Sequence, residues 1–343
     1  MTAPAHGGTD AGPPPRFDFS TNANALGPSP VALTALRSVD PSGYPDPDYT
    51  DLRVTLATWH GRRPEEVVAG AGACELIHRV VRVTGGPVVV WEPTFGEYRY
   101  AAELVGAPIR TAHDFDTWLR ALPGAVVAFL CVPNSPNGMI ADLPRAAAAA
   151  SAADCRLVVD LAYYPLSQRR PQIPAGVWQL WAPNKAHGVT GVRAGYLLAD
   201  AGAATRLRLA PSWILSAHGV AFLKAAADPA AQRWVSESRT TLWRWRDELT
   251  ARMRAIDVPV TVGPANFVLA HTGAAAQTAA RLRRDGIRVR DATTFGLPSG
   301  LRLSAQPPAA QDALIAALCD SLVPGPRPGP AEAVEASEVD RCR

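Results

Sequence analysis

Between residues 75 and 198, short apolar runs alternate with stretches of helical pattern, and this alternation most restricts the folds open to the chain. The apolar runs are bounded by turn-forming residues, as is typical of buried strands. Strands that alternate with helices form a mostly parallel sheet with helices on both faces, so the sequence predicts an α/β fold. The predicted strands are 88–90, 125–132, 156–159 and 195–198, and the predicted helices are 75–83, 98–105 and 143–153.

The rest of the chain predicts a second, smaller domain and two irregular ends. Residues 217–256 have a long helical pattern interrupted near Asp228-Pro229, and strands at 267–269 and 301–303 and a helix at 309–322 follow. Residues 1–16 are rich in Gly and Pro, and residues 324–343 include almost no side chains that a core could bury. The predicted division is a flexible arm at 1–16, a segment at 17–44 that joins the small domain, a large cofactor-binding domain at 45–240, a small domain at 241–323 and a disordered tail at 324–343.

Charge and hydropathy argue against several classes of partner. The chain has 34 basic and 31 acidic residues, and a net charge of +3 gives no case for nucleic acid or membrane binding. No apolar run is long enough to cross a bilayer, and no signal-peptide pattern is present. The five cysteines are scattered and lack metal-ligand spacing. We therefore expect a cytoplasmic protein without a metal, acting on a small molecule.

Lys185 is the residue best suited to covalent chemistry. It follows Asn184 and precedes a Gly-rich stretch, where its amine can reach a cofactor aldehyde and form a Schiff base. Arg193 follows among small residues, and a guanidinium there can bind a phosphate through two hydrogen bonds. A surface lysine and a surface arginine on a flexible turn explain this segment equally well when it is taken alone.

Two further segments have features of a cofactor site. Residues 70–75 are Gly-rich and precede a predicted helix, whose first N–H groups attract phosphate. Asp160 ends an apolar strand, where α/β sheets place ligands, and its carboxylate can keep a pyridinium nitrogen protonated. Tyr163 can hydrogen-bond a phenolic oxygen of the same ring. The alternatives are an ordinary turn at 70–75 and a helix-capping role for Asp160.

Phe95 and Arg302 complete the candidate set. Phe95 follows a predicted strand and can stack on a flat ring, although an aromatic residue in this place is more often part of the core. Arg302 lies inside an apolar strand and needs an anionic partner, which a substrate carboxylate or a structural salt bridge would supply equally well. With Lys185 and Asp160, these residues would suit a cofactor that has an aldehyde, a pyridine ring and a phosphate, but none of them is decisive alone.

The order of these segments resembles the class I and II aminotransferase family of fold-type I pyridoxal-phosphate enzymes over residues 17–322. Pro-Asn-Ser-Pro-Asn-Gly at 133–138 stands between Pro-Thr-Phe and Asp-x-x-Tyr, as in that family. Residues 6–8 and 18–24 are similar to the threonine-phosphate decarboxylases, and later segments match both these and the histidinol-phosphate aminotransferases. The resemblance implies a large domain with a mostly parallel central sheet and a smaller α+β domain.

The resemblance also implies a role for each matching residue. Lys185 would form the Schiff base and move a proton, Asp160 would pair with the ring nitrogen, and Tyr163 with the phenolic oxygen. Arg302 would bind the substrate α-carboxylate, Arg290 and His6 a distal anionic group, and Asn24 would also contact substrate. The remaining cofactor contacts would be Ala73, Cys74, Phe95, Ser135, Asn184 and Arg193, with Tyr44 reaching the phosphate in the partner subunit of a homodimer.

Four positions depart from the family pattern around the cofactor. Ser135 replaces an asparagine that contacts the phenolic oxygen, and Asn137 replaces a threonine. Asn184 and Ala182 stand where hydroxyl residues are usual near the phosphate. Each lost neutral hydrogen bond is worth about 0.5–1.5 kcal/mol. We expect either looser cofactor binding or a chemistry other than ordinary transamination.

The predicted function is an aminotransferase that acts on an amino acid or a related amine. The alternative is a decarboxylase resembling the threonine-phosphate enzyme, because the substrate's orientation on this cofactor selects the bond that breaks. A cyclase or lyase of secondary metabolism is a further alternative. A non-catalytic binding protein could share the fold, but the intact set of Lys185, Asp160, Tyr163 and Arg302 argues against it.

Overall fold

A computed structural model describes residues 4, 6–8 and 10–322, and the predicted disordered tail at 324–343 lies outside them. The strands are β1 (Phe17–Asp18), β2 (Val67–Gly70), β3 (Val88–Trp91), β4 (Ile109–Ala112), β5 (Val127–Cys131), β6 (Arg156–Asp160), β7 (Trp178–Trp181), β8 (Gly195–Leu198), β9 (Val260–Val262), β10 (Phe267–His271), β11 (Ile287–Arg288), β12 (Arg290–Asp291) and β13 (Gly300–Ser304). The helices are α1 (Pro30–Arg37), α2 (Thr50–His60), α3 (Ala73–Thr84), α4 (Glu97–Leu104), α5 (Phe115–Arg120), α6 (Leu143–Ala152), α7 (Ala201–Leu207), α8 (Ala217–Ala226), α9 (Pro229–Ala255), α10 (Ala275–Arg284) and α11 (Pro308–Leu322).

A seven-stranded sheet with the order β2-β8-β7-β6-β5-β3-β4 forms the centre of the fold. Strand β8 runs antiparallel to β2 and β7, and the other neighbouring pairs are parallel. Strand β5 is buried along its whole length, because helices cover both faces of the sheet. These findings confirm the predicted α/β fold with a mostly parallel sheet.

The pairing brings the carboxyl ends of several strands to one edge of this sheet. Strands β3, β5, β6 and β7 are parallel, and β2 points the same way because β8 separates it from β7. The loops after these strands hold most of the predicted site residues. Ligands of open α/β sheets bind at such an edge, so the topology alone places the candidates close together.

The C-terminal region contains a four-stranded antiparallel sheet with the order β12-β13-β10-β9. Strand β1, from the N-terminal segment, pairs with β11 beside it, and Phe19 is buried in the same core as Leu301 and Leu314. Helix α9 begins after Asp228, whose side chain accepts a hydrogen bond from the N–H of Ala230, as the predicted interruption requires. The helix runs without a break through residue 240, and the division into domains there stays a prediction.

No helix within the described ranges is both long enough and apolar enough to cross a membrane.

Candidate active site

A narrow inner cavity lies at the edge where the carboxyl ends of the large sheet meet. Eight of the predicted site residues line it, and they come from five separate parts of the chain. Parallel pairing, which brings distant loops to one edge, is the reason that they meet. The lining residues are Ala73, Cys74, Phe95, Cys131, Asp160, Ala162, Tyr163, Ala182, Asn184, Lys185 and Arg193.

Asp160 is a buried carboxylate at the end of β6, with 2% of its surface exposed. Its Oδ1 accepts a hydrogen bond from the N–H of Ala162 at 2.9 Å, and its Oδ2 accepts one from the hydroxyl of Tyr98 at 2.8 Å. Burial raises the pKa of Asp160, and the two hydrogen bonds and nearby Lys185 oppose that rise. A positive group in the cavity would favour the charged form of this carboxylate.

Lys185 is half-buried in the loop after β7, and its Nζ lies 5.1 Å from the centroid of the Tyr163 ring. The N-terminal segment fixes the backbone of this loop. The N–H of Asn24 donates to the carbonyl of Lys185 at 2.9 Å, and the N–H of Ser29 donates to that of His187 at 2.9 Å. These bonds fix the backbone position from which Lys185 projects into the cavity.

The beginning of α3 lies beside the guanidinium of Arg193. Gly72 caps α3 with a φ of 92° and no side-chain hydrogen bond, so the first N–H groups of the helix have no side-chain cap. A Cβ on Gly72 would lie 3.0 Å from Nη2 of Arg193, which shows how closely the guanidinium approaches the helix. An uncapped helix N-terminus beside a guanidinium attracts a phosphate.

A larger outer cavity of about 390 Å³ adjoins the inner one and shares Lys185, Tyr163 and Phe95 with it. Its walls come from both sheets and from the N-terminal arm, so the substrate side of the site combines three parts of the chain. The lining residues are His6, Gly7, Gly8, Ser20, Thr21, Cys74, Phe95, Tyr163, Asn184, Lys185, Thr190, Gly191, Arg193, Arg290, Phe295 and Arg302.

Arg302 is a buried cation without a carboxylate partner among the described residues. It is 5% exposed, and its guanidinium donates to Oγ of Ser135 at 2.6 Å and to the carbonyl of Ser20 at 2.7 Å. Its Nε has no hydrogen-bond partner within the described part of the chain, and burial lowers the pKa of Arg302. A buried, uncompensated guanidinium favours an anionic ligand, so the structural salt bridge weighed from the sequence is wrong for these residues.

Arg290 and His6 lie in the same outer cavity. Arg290 is 6% exposed, donates to Oγ1 of Thr294 at 2.7 Å and stacks 4.7 Å from the Phe295 ring centroid. Burial, followed by the nearby charge of Arg302, lowers the pKa of Arg290 to about 10. The outer cavity is therefore lined by positive groups, as a site for an anionic substrate requires.

Three predicted site residues have surroundings that differ from those expected. Ser135 is bonded to Arg302, and Asn24 uses its amide to bind the carbonyl of Ala186 at 3.1 Å. Tyr44 is 82% exposed and stacks on Trp213 with 4.6 Å between ring centroids. None of the three is among the residues that line either cavity, and their cofactor and substrate contacts stay predictions.

Sequence reasoning missed Tyr98 and Glu97, which follow Phe95 at the start of α4. Tyr98 is fully buried, and its hydroxyl, as described above, donates to Asp160. Its ring stacks on Phe129 with 4.8 Å between centroids. Phe95 precedes α4 by two residues, and its ring meets that of Tyr98 edge to face with 5.8 Å between centroids. The spacing of three residues between them is the one signal that the sequence offered.

The match to a family model covers most of the chain. Residues 14–322 match the model of the family described as aminotransferase class I and II. Two curated relatives are both named histidinol-phosphate aminotransferase. The protein from Jannaschia sp. is 30% identical over 88% of this chain and 89% of its own length, and the one from Halorubrum lacusprofundi is 31% identical over 83% of each.

Solved structures share the fold over almost the whole chain. A histidinol-phosphate aminotransferase from Sinorhizobium meliloti, in complex with pyridoxal-5'-phosphate, has a TM-score of 0.80 and 27% identity, covering 90% of this chain and 91% of that one. An L-threonine-O-3-phosphate decarboxylase from Porphyromonas gingivalis has a TM-score of 0.81 and 23% identity, covering 89% and 98%. The second likeness, at that identity, concerns the fold alone.

Proposed function

The chain belongs to the class I and II aminotransferase family, which uses pyridoxal phosphate, and we propose that Lys185 is the residue that binds this cofactor covalently. The observation that carries the proposal is the meeting of Lys185, Asp160 and Arg193 in one cavity. An amine, a buried acid and an anion site are the groups that an aldehyde, a ring nitrogen and a phosphate require.

We assign residues of the inner cavity to each part of the cofactor. The uncapped start of α3, with Ala73 and Cys74, would hold the phosphate together with Arg193. Asp160 would keep the proton on the ring nitrogen, since a charged partner offsets the unfavourable burial of its carboxylate. Phe95 lines the cavity and would cover the face of the ring, and Tyr163 would contact its phenolic oxygen.

When bound, pyridoxal phosphate withdraws electrons from the substrate carbon that loses a proton. Lys185 would take that proton on Nζ and return it at the neighbouring position as a general base and acid. Asp160 would hold the ring nitrogen charged throughout. The cavity excludes bulk water around Asp160, which is 2% exposed, and interactions between charges are stronger there than in water.

The outer cavity supports an amine with at least one anionic group as substrate. Arg302 would bind the α-carboxylate, because its guanidinium is buried without a carboxylate partner among the described residues. Arg290 and His6 would contact a distal anionic group, and Asn24 would contribute through the backbone of the Lys185 loop. Since curated relatives are named histidinol-phosphate aminotransferase, L-histidinol phosphate is the first donor to test.

A donor screen tests the proposal directly. The protein loaded with pyridoxal phosphate is mixed with L-histidinol phosphate or with amino acids, and absorbance reports conversion to the pyridoxamine form. Conversion by a donor supports the aminotransferase. Release of carbon dioxide from O-phosphothreonine, without conversion by any donor, would instead identify a decarboxylase. The likeness to the solved decarboxylase, at 23% identity, concerns the fold alone.

We expect Arg302→Lys to weaken carboxylate binding while keeping the charge. Lysine cannot form the two parallel hydrogen bonds of a guanidinium. A bond to a charged group is worth about 1.5–3 kcal/mol, so KM for a carboxylated donor should rise about 10-fold or more. Steady-state kinetics with a carboxylated donor measure the change, and a donor that lacks the carboxylate is the control. Equal effects on both donors would contradict the assignment.

We expect Tyr98→Phe to weaken cofactor binding. Removing the hydroxyl deprives the carboxylate of Asp160 of one of its hydrogen bonds and raises its pKa further. The loss of one such bond predicts about a 10-fold weaker affinity for pyridoxal phosphate. Fluorescence titration of the cofactor-free protein measures the affinity. Tyr100→Phe on the same helix is the matched control, and equal affinities of the two variants would contradict the prediction.

We also propose that the active form is a homodimer. Tyr44, Leu209 and Trp213 are exposed apolar side chains, and the first is 82% exposed. A partner subunit would cover such a patch and receive Tyr44 at its phosphate site. The mass in solution, compared with 36.3 kDa for one chain, decides whether a dimer forms.

A further inference from the structure

Glu97 is a buried carboxylate shared by two histidines. It opens helix α4 and is 6% exposed. Its Oε1 lies 2.6 Å from Nε2 of His6, and its Oε2 lies 2.6 Å from Nε2 of His78. Burial raises the pKa of Glu97, but the hydrogen bonds from His6 and His78 outweigh that effect and lower the pKa to about 2. Both oxygens of this charged group are therefore occupied.

One of the two histidines lies on a helix of the large domain, and the other lies on the N-terminal arm. His78 belongs to helix α3, which packs on the large sheet. His6 belongs to the arm, its side chain is 40% exposed, and its ring lies 5.3 Å from that of Phe95. His78 on helix α3 therefore holds Oε2 of Glu97 in place, and Oε1 of the same carboxylate binds His6 of the arm.

Beyond His6, the arm lies against the substrate side of the site. The N–H of Gly8 donates to Oγ of Ser20 at 2.9 Å. A Cβ on Gly7 would lie 2.2 Å from the carbonyl oxygen of Ser20 and 3.2 Å from Nη2 of Arg302. Only a glycine permits this approach, so the arm backbone forms part of the outer cavity wall next to the proposed carboxylate site.

The far end of the arm is bound to the C-terminal region. Asp10 accepts hydrogen bonds from Nε and Nη2 of Arg283 on α10, both at 2.9 Å, and from Nη2 of Arg288 at 3.0 Å. Residues 6–8 therefore form part of the outer cavity wall, and the described residues of the arm have two side-chain attachments. One attachment is Glu97 beside the large sheet, and the other is the arginine pair beside the small sheet.

We propose that Glu97 is a positioning residue that fastens the arm at the outer cavity and holds His6 in the cavity wall as a polar contact for a substrate's distal anionic group. The use of this cavity by substrate rests on the proposed function, whereas the attachment of the arm does not. Glu97 would not touch substrate itself. Its contribution is to keep the His6 ring in place, because its Oε1 lies 2.6 Å from Nε2 of His6.

Trypsin tests the attachment of the arm without any assay of activity. Arg16 is exposed and is the first arginine or lysine of the chain, so trypsin releases the arm by cutting after it. In Glu97→Gln and in His6→Ala we expect release of residues 1–16 to be about 10-fold faster, since access follows local opening. Mass spectrometry of this fragment measures the rate. Glu103→Gln, the same change on the same helix, should release it at the wild-type rate.

Substrate discrimination tests the role of His6. O-phospho-L-threonine and L-threonine serve as probes with and without a distal anion, and the absorbance of bound cofactor reports their apparent affinities. Glu97→Gln should weaken binding of the phosphorylated probe about 10-fold and that of L-threonine less than about twofold. The double variant with His6→Ala should lose no more than His6→Ala alone, because the two residues act as one unit.

The possible failures are distinguishable. Arm release at the wild-type rate in both Glu97→Gln and His6→Ala would overturn the attachment. Faster release with an unchanged preference for the phosphorylated probe would overturn the role of His6 as an anion contact. A wild-type protein that binds no cofactor would refute the proposed function, while the trypsin experiment would still decide whether Glu97 fastens the arm.

Discussion

Replacing Lys185 by alanine should lower turnover by at least about 1,000-fold, because one amine serves as covalent attachment and as proton carrier. The variant should still bind pyridoxal phosphate through Arg193 and the start of α3, but without a covalent bond. Turnover with the donor found by screening measures the first effect. Loss of the cofactor from the variant on gel filtration under denaturing conditions, compared with borohydride-treated wild-type protein, measures the second.

The chain offers a simple control, because it contains two lysines, Lys185 and Lys224. Lys224 is exposed on α8, and Lys224→Ala should keep wild-type turnover. Borohydride reduction should attach the cofactor to the peptide that contains residue 185 in wild-type protein and in Lys224→Ala. Attachment at residue 224, or turnover by Lys185→Ala within about tenfold of wild type, would refute the assigned role.

Asp160→Asn should have the second-largest effect, a fall in turnover of about 100-fold or more. Asparagine has the size of aspartate, and its amide oxygen can still accept the hydrogen bond from the N–H of Ala162 while its amide nitrogen donates to the hydroxyl oxygen of Tyr98. It carries no charge, so a protonated ring nitrogen loses its partner and the cofactor becomes a weaker electron sink. Turnover and the absorption maximum of the bound cofactor are measured together, and both should change.

A cofactor analogue methylated at the ring nitrogen provides the control. Its charge does not depend on a proton, so it should restore part of the turnover of Asp160→Asn if holding that proton is the function of Asp160. The melting temperature of the cofactor-free variant reports any loss of folding separately. Turnover of Asp160→Asn within about threefold of wild type would show that this carboxylate serves only the fold.

Hydropathy patterns in the sequence predicted most of the strands and helices of the large sheet. The apolar runs at 125–132 and 156–159 became β5 and β6, and the helical pattern at 143–153 became α6. Parallel pairing then brings the ends of these strands to one edge, so the meeting of Asp160 with Lys185 followed from topology. The motif order predicted the family, and the match of residues 14–322 to the family model confirms it.

Contacts between distant side chains could not be predicted in this way. Ser135 was expected to face the cofactor, yet its hydroxyl meets Arg302, which lies 167 residues further along the chain. The hydrogen bond from Tyr98 to Asp160 and the sharing of Glu97 by two histidines likewise depend on how helices pack on the sheet. Hydropathy periodicity reports which side of an element is buried but not which polar atoms meet there.

The bonds between residues 24–29 and the Lys185 loop have a consequence for biosynthesis. Asn24 leaves the ribosome early, but the carbonyl that its side chain binds belongs to a residue 162 positions later. Contacts of such long sequence separation form late in folding. A nascent chain that stalls before residue 185 therefore lacks these bonds, even when β2 to β6 are already synthesised.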